Sequence, residues 1–401
     1  MKAGWQTKTL GDACQIARGG SPRPIQDFIT DDSDGVNWVK ISDATASGKF
    51  IYVTKEKIKP SGVARSRLVK PGDFLLSNSM SFGRPYIMQT TGCIHDGWLV
   101  LSAYEKCFDQ GFLYHLLGSP VVFEQFDRLA AGSTVRNLNI ELASRVVLPV
   151  PPLPEQQRIV TLLDEAFDAI ATAKAHAEKN LQNARAIFES HLQSVFTQRG
   201  NGWQETNEPL SSLCELIVDC EHKTAPTQEE GIPSIRTPNV GKGNLLLDGV
   251  YRVSETTYTE WTRRAKPRAG DLIFAREAPA GNVGVVPPNL RVCLGQRTVL
   301  IRPSRSVFVP EFLALLLLCP VMQKTLLGHS RGATVQHVNM KDIRALNVGA
   351  IPSLSLQAEI VDNFGAVTEE TQRLEAIYQQ KLTALDELKK SLLHRAFSSD
   401  L

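Results

Sequence analysis

The sequence contains no apolar run long enough to cross a membrane. Its longest uninterrupted apolar stretch lies around residues 312–318, whereas a transmembrane helix needs about 20 consecutive apolar residues. Residues 1–13 also lack the apolar centre of a signal peptide. We therefore expect a cytoplasmic protein without a membrane partner.

Cysteine pairs and a charge excess are missing as well. The chain has seven cysteines, an odd number, and no Cys-x-x-Cys pair. This pattern argues against a disulfide framework or a structural zinc site and favours a reducing compartment. Because 44 Lys and Arg residues face 42 Asp and Glu residues, the net charge is only +2. Any basic surface that binds nucleic acid must therefore be local.

The usual signatures of catalysis are absent too. The sequence has no Gly-x-x-x-x-Gly-Lys-Ser/Thr phosphate loop and no Asn-Pro-Pro-aromatic motif of an amino-methyltransferase. The acidic cluster at residues 27–34 does not have the spacing of a calcium loop, and the eight histidines are scattered. We expect no catalytic residue, no bound cofactor and no metal.

One segment leaves a catalytic alternative open. Residues 328–332 match Gly-x-Ser-x-Gly, which would make Ser330 the nucleophile of a serine hydrolase. That motif requires a strand before the serine and a helix after it. Here residues 321–327 are predicted to end a helix and residues 333–338 to be extended, so hydrolysis is the least favoured hypothesis.

Residues 158–196 carry the clearest structural pattern in the chain. They include no glycine and no proline, and apolar or small residues recur at alternating steps of three and four. Lys174 and His191 interrupt this series. So long and narrow a stripe predicts a coiled-coil seam, on a helix of roughly 55–60 Å. A seam requires a partner helix.

The partner is predicted at residues 359–397, which carry a similar stripe. Both helices end in phenylalanine, at Phe196 and Phe397. The entries to the two helices also repeat with a constant shift of 201: Pro151, Leu153, Gln156, Ile159 and Val160 return as Pro352, Leu354, Gln357, Ile360 and Val361.

The globular segments repeat as well, which indicates a duplication. The matches are colinear and keep a shift of 198–200 for most of their length: residues 4–6 return as 202–204, residues 72–75 as 270–273, Gly83 as Gly281, Gly97 as Gly295, and residues 132–135 as 332–335. Short apolar and β-branched runs in the first segment predict strands at residues 37–41, 50–53, 74–76 and 99–101. Helical spacing predicts a helix at residues 111–129.

The polar residues between these repeated positions differ between the halves. Asn78 stands where the second half has Arg276, and Arg136-Asn137 where it has Gln336-His337. Two copies of one scaffold that present different side chains on equivalent loops are typical of two readers with different targets. His95 and Asp96, beside Trp98, would either line such a reading face or form a turn.

Together these features resemble the specificity subunit of type I restriction-modification systems, over the whole chain. The resemblance is carried by the junction from Gly132-Ser133-Thr134 to residues 148–159, by Trp5 with Leu10-Gly11-Asp12, and by residues 220–226 of the second half. The second junction, at residues 351–357, keeps only the proline, leucine and glutamine of the Pro-Pro-Leu-Pro-Glu-Gln pattern.

The resemblance implies an α+β protein with two target-recognition domains, separated by two long helices packed as an antiparallel coiled coil. The corresponding segments are residues 1–147 and 200–346 for the recognition domains, and 148–199 and 347–401 for the helical regions. Each domain would read one half of a bipartite site in double-stranded DNA. The helices would set the spacer and dock methyltransferase subunits, two in number, which bind S-adenosylmethionine themselves. Restriction and translocase subunits would join through the complex.

Candidate DNA-binding residues follow from the chemistry of base readout, which pairs Arg with guanine and Asn or Gln with adenine. The predicted base readers are the loop pairs Asn78/Arg276 and Arg136/Gln336, together with the adjacent Asn137 and His337. Basic residues nearby are predicted to contact phosphates: Arg18, Lys40, Arg65, Arg67, Arg84, Lys223, Arg236, Lys242 and Arg297. The alternative from a different class is a coiled-coil adaptor whose two globular domains bind protein.

Overall fold

The chain folds into two compact units. The structure is a computed structural model that describes residues 4–78, 83–130, 137–328 and 336–398. Unit 1 comprises Met1–Ala177 with Gln380–Leu401, and unit 2 comprises Glu178–Gln379. The division passes through both long helices, α7 (Leu153–Thr197) and α12 (Leu354–Phe397). Each unit therefore contains one globular segment and a part of each long helix.

Unit 1 is built on two five-stranded sheets, with the orders β2-β11-β8-β9-β5 and β3-β6-β4-β10-β7, and a two-stranded pair β1-β12. The strands are β1 (Gln6–Thr9), β2 (Gln15–Arg18), β3 (Ile29–Thr30), β4 (Val36–Val39), β5 (Phe50–Ile51), β6 (Glu56–Ile58), β7 (Arg67–Val69), β8 (Phe74–Ser77), β9 (Pro85–Met88), β10 (Gly92–Ile94), β11 (Trp98–Ser102) and β12 (Val147–Val150). The helices are α1 (Leu10–Ala13), α2 (Ile41–Ser47), α3 (Pro60–Val63), α4 (Gln110–Leu117), α5 (Pro120–Ala130) and α6 (Ile140–Ser144).

Unit 2 repeats this plan with a smaller second sheet. Its sheets have the orders β14-β21-β18-β19-β16 and β17-β15-β20, with a two-stranded pair β13-β22. The strands are β13 (Trp203–Glu205), β14 (Cys214–Asp219), β15 (Ile232–Ile235), β16 (Lys242–Gly243), β17 (Arg252–Val253), β18 (Leu272–Ala275), β19 (Val283–Val285), β20 (Cys293–Leu294), β21 (Thr298–Pro303) and β22 (Ala350–Pro352). The helices are α8 (Glu255–Trp261), α9 (Pro310–Leu318), α10 (Pro320–Leu327) and α11 (Met340–Ala345).

The central strand of each main sheet is buried on both faces. In β8, Phe74 and Leu76 belong to the core under the helices, while Leu75 points into the core beneath the second sheet. In β18, Leu272 and Phe274 alternate in the same way with Ile273. This period-two alternation explains why the first three residues of both strands are apolar although the residues differ, FLLS in β8 and LIFA in β18. The predicted α+β class is confirmed.

The local predictions hold in part. The strands predicted at residues 74–76 and 99–101 lie inside β8 and β11, but β4 ends at Val39 and β5 at Ile51. The single helix predicted at residues 111–129 is wrong, since α4 ends at Leu117 and α5 begins at Pro120. Proline lacks the N–H that would continue the helix and disfavours helical backbone at the residue before it.

The repeated glutamine at the start of each long helix is a buried connector. Gln156 is 1% exposed; its Oε1 accepts the backbone N–H of Asp109 at 2.8 Å, and its Nε2 donates to the carbonyl oxygens of Cys107 (2.9 Å) and Pro151 (2.8 Å). Gln357, 0% exposed, makes the three equivalent bonds at 2.8 Å: it accepts from the Val309 N–H and donates to the carbonyl oxygens of Val307 and Pro352. One amide side chain thus joins each helix entry to the loop before α4 or α9.

The final residues of both long helices complete hydrophobic cores. Phe397, at the end of α12, is buried in unit 1 with its ring 5.4 Å from that of Phe112 on α4. Phe196, near the end of α7, is buried in unit 2 with its ring 5.5 Å from that of Phe312 on α9. The core of unit 1 therefore needs residues from the far end of the chain.

Within each unit the two long helices contact each other. In unit 1, Lys174 lies 2.8 Å from Asp386, and Lys389 stands over the ring of Phe167. In unit 2, the ring of His191 lies 4.6 Å from that of Phe364, and Arg185 lies 3.2 Å from Glu375. The two residues that interrupt the predicted stripe, Lys174 and His191, thus have partners on α12.

Among the described residues, no single helix is long and apolar enough to cross a membrane. The helices α9 and α10 reach the required length and composition only when taken together, and they are bent by 65° at their junction.

The buried glutamine gives a direct test of the helix entry. We expect Gln156→Leu to destabilise unit 1 by about 2–4 kcal/mol, because it leaves one N–H and two carbonyl groups without a buried partner. The matched control is Gln157→Leu, at the neighbouring exposed position, which should change stability by less than about 0.5 kcal/mol. Urea unfolding of both variants measures the difference; equal midpoints would show that the connector carries no stability.

Candidate nucleic-acid interface

The main sheet of unit 1 brings polar residues to one edge. Strands β2 and β8 both pair antiparallel with β11. The C-terminal ends of β2 and β8 therefore lie next to the start of β11. This geometry places Arg18, Asn78 and the turn at His95–Gly97 beside each other. We call these strand ends, with the residues immediately beyond them, the reading edge of unit 1.

Asp96 organises this edge. Its backbone carbonyl accepts hydrogen bonds from Arg18 Nε (3.1 Å) and Asn78 Nδ2 (2.8 Å). Its carboxylate accepts a hydrogen bond from the Ser21 hydroxyl at 2.8 Å and lies 3.5 Å from Arg23. The Ser21 hydrogen bond, above all, holds the pKa of the Asp96 carboxyl below its usual value. The sequence left Asp96 between a turn and a binding role; it forms the turn that fixes the edge.

The predicted basic residues of unit 1 differ in their exposure and in their contacts. Arg18, Arg65, Arg67 and Arg84 are exposed. The Arg65 and Arg84 guanidinium groups lie over the rings of Phe28 and Tyr86, at 5.6 and 5.3 Å.

The other predicted residues of unit 1 are more constrained. Lys40 forms an ion pair with Glu56. Asn78 is only 2% exposed, so its amide serves the fold. Asn137 is half-buried, and its Oδ1 has no partner among the described residues. Arg136 lies outside the described residues.

Unit 2 builds the same edge with equivalent backbone hydrogen bonds. The Asn78 N–H donates to the Gly97 carbonyl at 3.1 Å, and the Arg276 N–H donates to the Arg297 carbonyl at 2.9 Å. Asn78 and Arg276 are therefore equivalent, as predicted. The predicted match of Gly97 with Gly295 is wrong, because Gly97 corresponds to Arg297. From Ile87 to Cys93 the chain advances by six positions, whereas between the equivalent residues Val285 and Cys293 it advances by eight. These two extra residues shift the alignment beyond them.

A chain of charged side chains lies along the edge of unit 2. Arg276 donates through one terminal nitrogen to Asp219 at 2.9 Å and through the other to His337 Nε2 at 2.8 Å. The opposite nitrogen of His337, Nδ1, lies 2.9 Å from Glu277, which also pairs with Arg297 at 2.8 Å. Since arginine can only donate, Nε2 must be the acceptor, and Nδ1 carries the proton that binds Glu277.

This network changes the role of Arg276. Its side chain is 12% exposed, and its Nε donates to the carbonyl of Val338 at 2.9 Å. All three guanidinium nitrogens thus have partners inside unit 2. Asp219 and Glu277 are the residues that the sequence did not identify. Nothing in their local sequence predicts these roles, because Asp219 lies 57 positions from Arg276 and Glu277 lies 60 positions from His337.

The other predicted residues of unit 2 vary in their availability. Lys223 and Gln336 are exposed, and Arg297 is exposed beside Glu277. Lys242 lies 2.6 Å from Glu189. Arg236 stands 4.1 Å over the ring of Tyr251, with its Nε buried and without a partner among the described residues.

The described residues contain no group of three His, Cys, Asp or Glu side chains that could hold a metal ion. Ser330, the alternative nucleophile, lies outside the described residues. Burial raises the pKa of the Cys14, Cys214 and Cys293 thiols to about 12, so these groups stay protonated.

Comparison with known proteins places this geometry in a family. The family model described as type I restriction modification DNA specificity domain matches residues 2–182 and 210–384. The EcoBI specificity subunit of Escherichia coli is 22% identical over 92% of this chain and 80% of its own length. The EcoKI specificity subunit of E. coli K12 is also 22% identical, over 100% of this chain and 90% of its own length.

Two solved structures share the fold. A chain from a study of complex assembly and conformational transition of the type I R-M system has a TM-score of 0.77, with 20% identity over 100% of this chain and 99% of that one. The HsdS subunit of Thermoanaerobacter tengcongensis has a TM-score of 0.64, with 20% identity over 100% and 98%.

The family model matches the chain twice, once over most of each half, and both halves build the same polar sheet edge. The chain therefore belongs to the type I restriction-modification specificity family and carries two recognition domains.

Proposed function

We propose that each reading edge binds one half of a bipartite site in double-stranded DNA. The observation that carries this proposal is that the two edges share a backbone arrangement and differ in their side chains. The same backbone hydrogen bonds form both, yet one is held by Asn78 and Asp96 and exposes Arg18, whereas the other is held by Asp219 and Arg276 and exposes Arg297. A constant frame with different donors and acceptors suits recognition of two different half-sites.

Within this proposal, the exposure and internal partners of each predicted residue decide its role. The exposed cations Arg18, Arg65, Arg84, Lys223 and Arg297 contact phosphates, which position the protein without reading sequence. Arg67, whose Nε donates to the Arg18 carbonyl at 3.4 Å, supports the edge from the side. Arg136, Asn137 and Gln336 read bases. Asn78, Arg276 and His337 hold the edge in shape, since their polar groups already have internal partners. A phosphate contact by Lys40, Arg236 or Lys242 would have to replace Glu56, the ring of Tyr251 or Glu189.

We propose further that α7 and α12 pack as an antiparallel coiled coil that sets the distance between half-sites. Two contacts support this register. Lys174 pairs with Asp386 and Arg185 with Glu375, so a step of eleven residues forward on α7 corresponds to eleven backward on α12. Two readers on one face of the duplex are separated by a helical turn of about 34–36 Å or a multiple of it.

The partners in this proposal are methyltransferase subunits, two per chain, and through them restriction and translocase subunits. The methyltransferases bind S-adenosylmethionine, and this chain supplies no cofactor. The working compartment is the cytoplasm. The recognition domains are residues 1–147 and 200–346, and the helical regions are residues 148–199 and 347–401.

A matched pair of arginines tests the DNA interface. Arg297 and Arg373 are similarly exposed, at 64% and 62%, and each pairs with a glutamate. We expect Arg297→Gln to weaken binding of duplex DNA and to reduce the slope of log affinity against log salt by about 0.9, the contribution of one phosphate. Arg373→Gln, on α12, should leave both unchanged.

Fluorescence anisotropy across a salt series measures both quantities. Affinity of the unaltered chain for duplex DNA that does not fall with salt would favour the adaptor hypothesis. Equal slopes for the two variants would remove Arg297 from the interface.

The helical spacer predicts a change in the recognised site. Removing residues 175–181 and 379–385, which face each other in the proposed register, shortens both helices by seven residues, or roughly 10–11 Å. The spacer between half-sites should then shrink by about three base pairs, at 3.4 Å per pair. Duplicating the same segments should lengthen it equally. Methylome sequencing of cells carrying each variant reads the spacer, and an unchanged spacer in both would contradict the proposal.

A further inference from the structure

A groove of about 940 Å³ lies in unit 1 between the edges of its two sheets. One wall is β2, which pairs only with β11, and the other is β7, which pairs only with β10. Helix α6 contributes Ile140 and Ser144 to the rim. Among the described residues, both walls are therefore edge strands with one free side.

The free side of β2 exposes backbone groups that would normally be paired. The Gly19 N–H donates to the Trp98 carbonyl at 2.9 Å, which makes these residues a hydrogen-bonded pair. Because such pairs alternate along an antiparallel ladder, the N–H and C=O groups of Ile16 and Arg18 point away from β11. Arg67 Nε donates to the Arg18 carbonyl at 3.4 Å. No described residue donates to the Ile16 carbonyl.

Unit 2 closes the same edge with arginines. Ile217 on β14 faces Ile301 as Ile16 faces Leu101, so the two isoleucines are equivalent. Arg344 on α11 donates to the Ile217 carbonyl at 3.1 Å, and Arg264 donates to the Asp219 carbonyl at 3.4 Å.

The residue equivalent to Arg344 in unit 1 is Ser144, five positions after the helix-capping asparagine in both units. Its hydroxyl donates to the Glu141 carbonyl of its own helix at 2.8 Å. Arg67 and Arg264 thus occupy equivalent carbonyls, those of Arg18 and Asp219, in the two units. The difference lies one pair further along: unit 2 caps the Ile217 carbonyl, whereas the described residues of unit 1 leave the Ile16 carbonyl open.

The groove has the chemistry of a site for an extended peptide. Leu68 and Ile140 line it and are 47% and 41% exposed, which suits side chains at alternate positions of an added strand. Arg67 lies at the end nearest Arg18. Asp73 and Glu105, with one lysine, Lys70, lie at the other end. This polarity fits a strand that is acidic beside Arg67 and basic beside Glu105. A DNA backbone, uniformly negative, does not match the acidic end.

We propose that β2 accepts an extended segment of a methyltransferase subunit by strand addition. The identity of the partner rests on the proposed function, whereas the site rests on the open edge. Since unit 2 caps its equivalent edge, one such segment binds per chain. The two methyltransferase copies are therefore held differently.

Amide exchange tests the site residue by residue. When the chain is mixed with its methyltransferase subunits without DNA, exchange of the Ile16 amide should slow at least tenfold. The Ala17 amide, which already faces β11, should not change. Residue-resolved hydrogen exchange by mass spectrometry measures both, and intact mass reports whether the complex has formed.

Each outcome has a separate meaning. A complex with unchanged Ile16 exchange overturns this inference alone, and absence of any complex overturns the proposed partner as well. Protection of Ile16 by duplex DNA in place of the methyltransferase overturns the choice of occupant.

The second test introduces into unit 1 the arginine that caps the edge in unit 2. Ser144→Arg supplies the arginine that unit 2 uses and should weaken association of one methyltransferase copy at least tenfold. Ser144→Ala, which leaves the edge open, should associate like the unaltered chain. Duplex DNA affinity of Ser144→Arg should be unchanged, which reports intact folding. Undiminished association of a folded Ser144→Arg variant contradicts the proposal.

Discussion

Burial of a phenylalanine at the end of each long helix is the constraint on which both units depend. Phe397 fills the core of unit 1 against Phe112, although nearly 300 residues separate them in the chain. Phe196 fills the core of unit 2 against Phe312. Loss of one such buried ring costs about 3–5 kcal/mol, a large part of the stability of an ordinary domain. The ends of the long helices are therefore parts of the hydrophobic cores of the two units.

Residues that recur between the two halves and residues that differ between them lie in different parts of the fold. Positions that recur between the halves are those whose contacts the fold requires: the buried strands β8 and β18, and the helix-entry amides of Gln156 and Gln357. Positions that differ lie at the ends of these strands and of their neighbours, where Asp96 orders one edge and the Asp219–Arg276 pair orders the other. Under the proposed function, edge side chains can be exchanged to change specificity without disturbing the core.

The sequence predicted the parts of this structure that depend on local pattern. A stretch of 39 residues without glycine or proline and with a narrow apolar stripe allows few structures other than a long helix, and colinear repeats reveal duplication. The roles of single polar residues were harder to predict. Whether Arg276 faces DNA or Asp219 depends on side chains 57 positions apart that the fold brings within 2.9 Å. The same holds for Gln156: its repetition was visible in the sequence, but its buried hydrogen bonds to a loop 47 and 49 residues away were not.

The central claim is that two separate edges read two separate DNA segments. Hydroxyl-radical footprinting tests it most directly, with the chain and its methyltransferase subunits bound to a duplex that carries the site found by methylome sequencing. We predict two protected segments on one face of the DNA, centred about one helical turn or a multiple of it apart. Substitution at the edge of unit 2 should weaken one segment only. A single continuous footprint, or equal loss of both segments, would contradict the account.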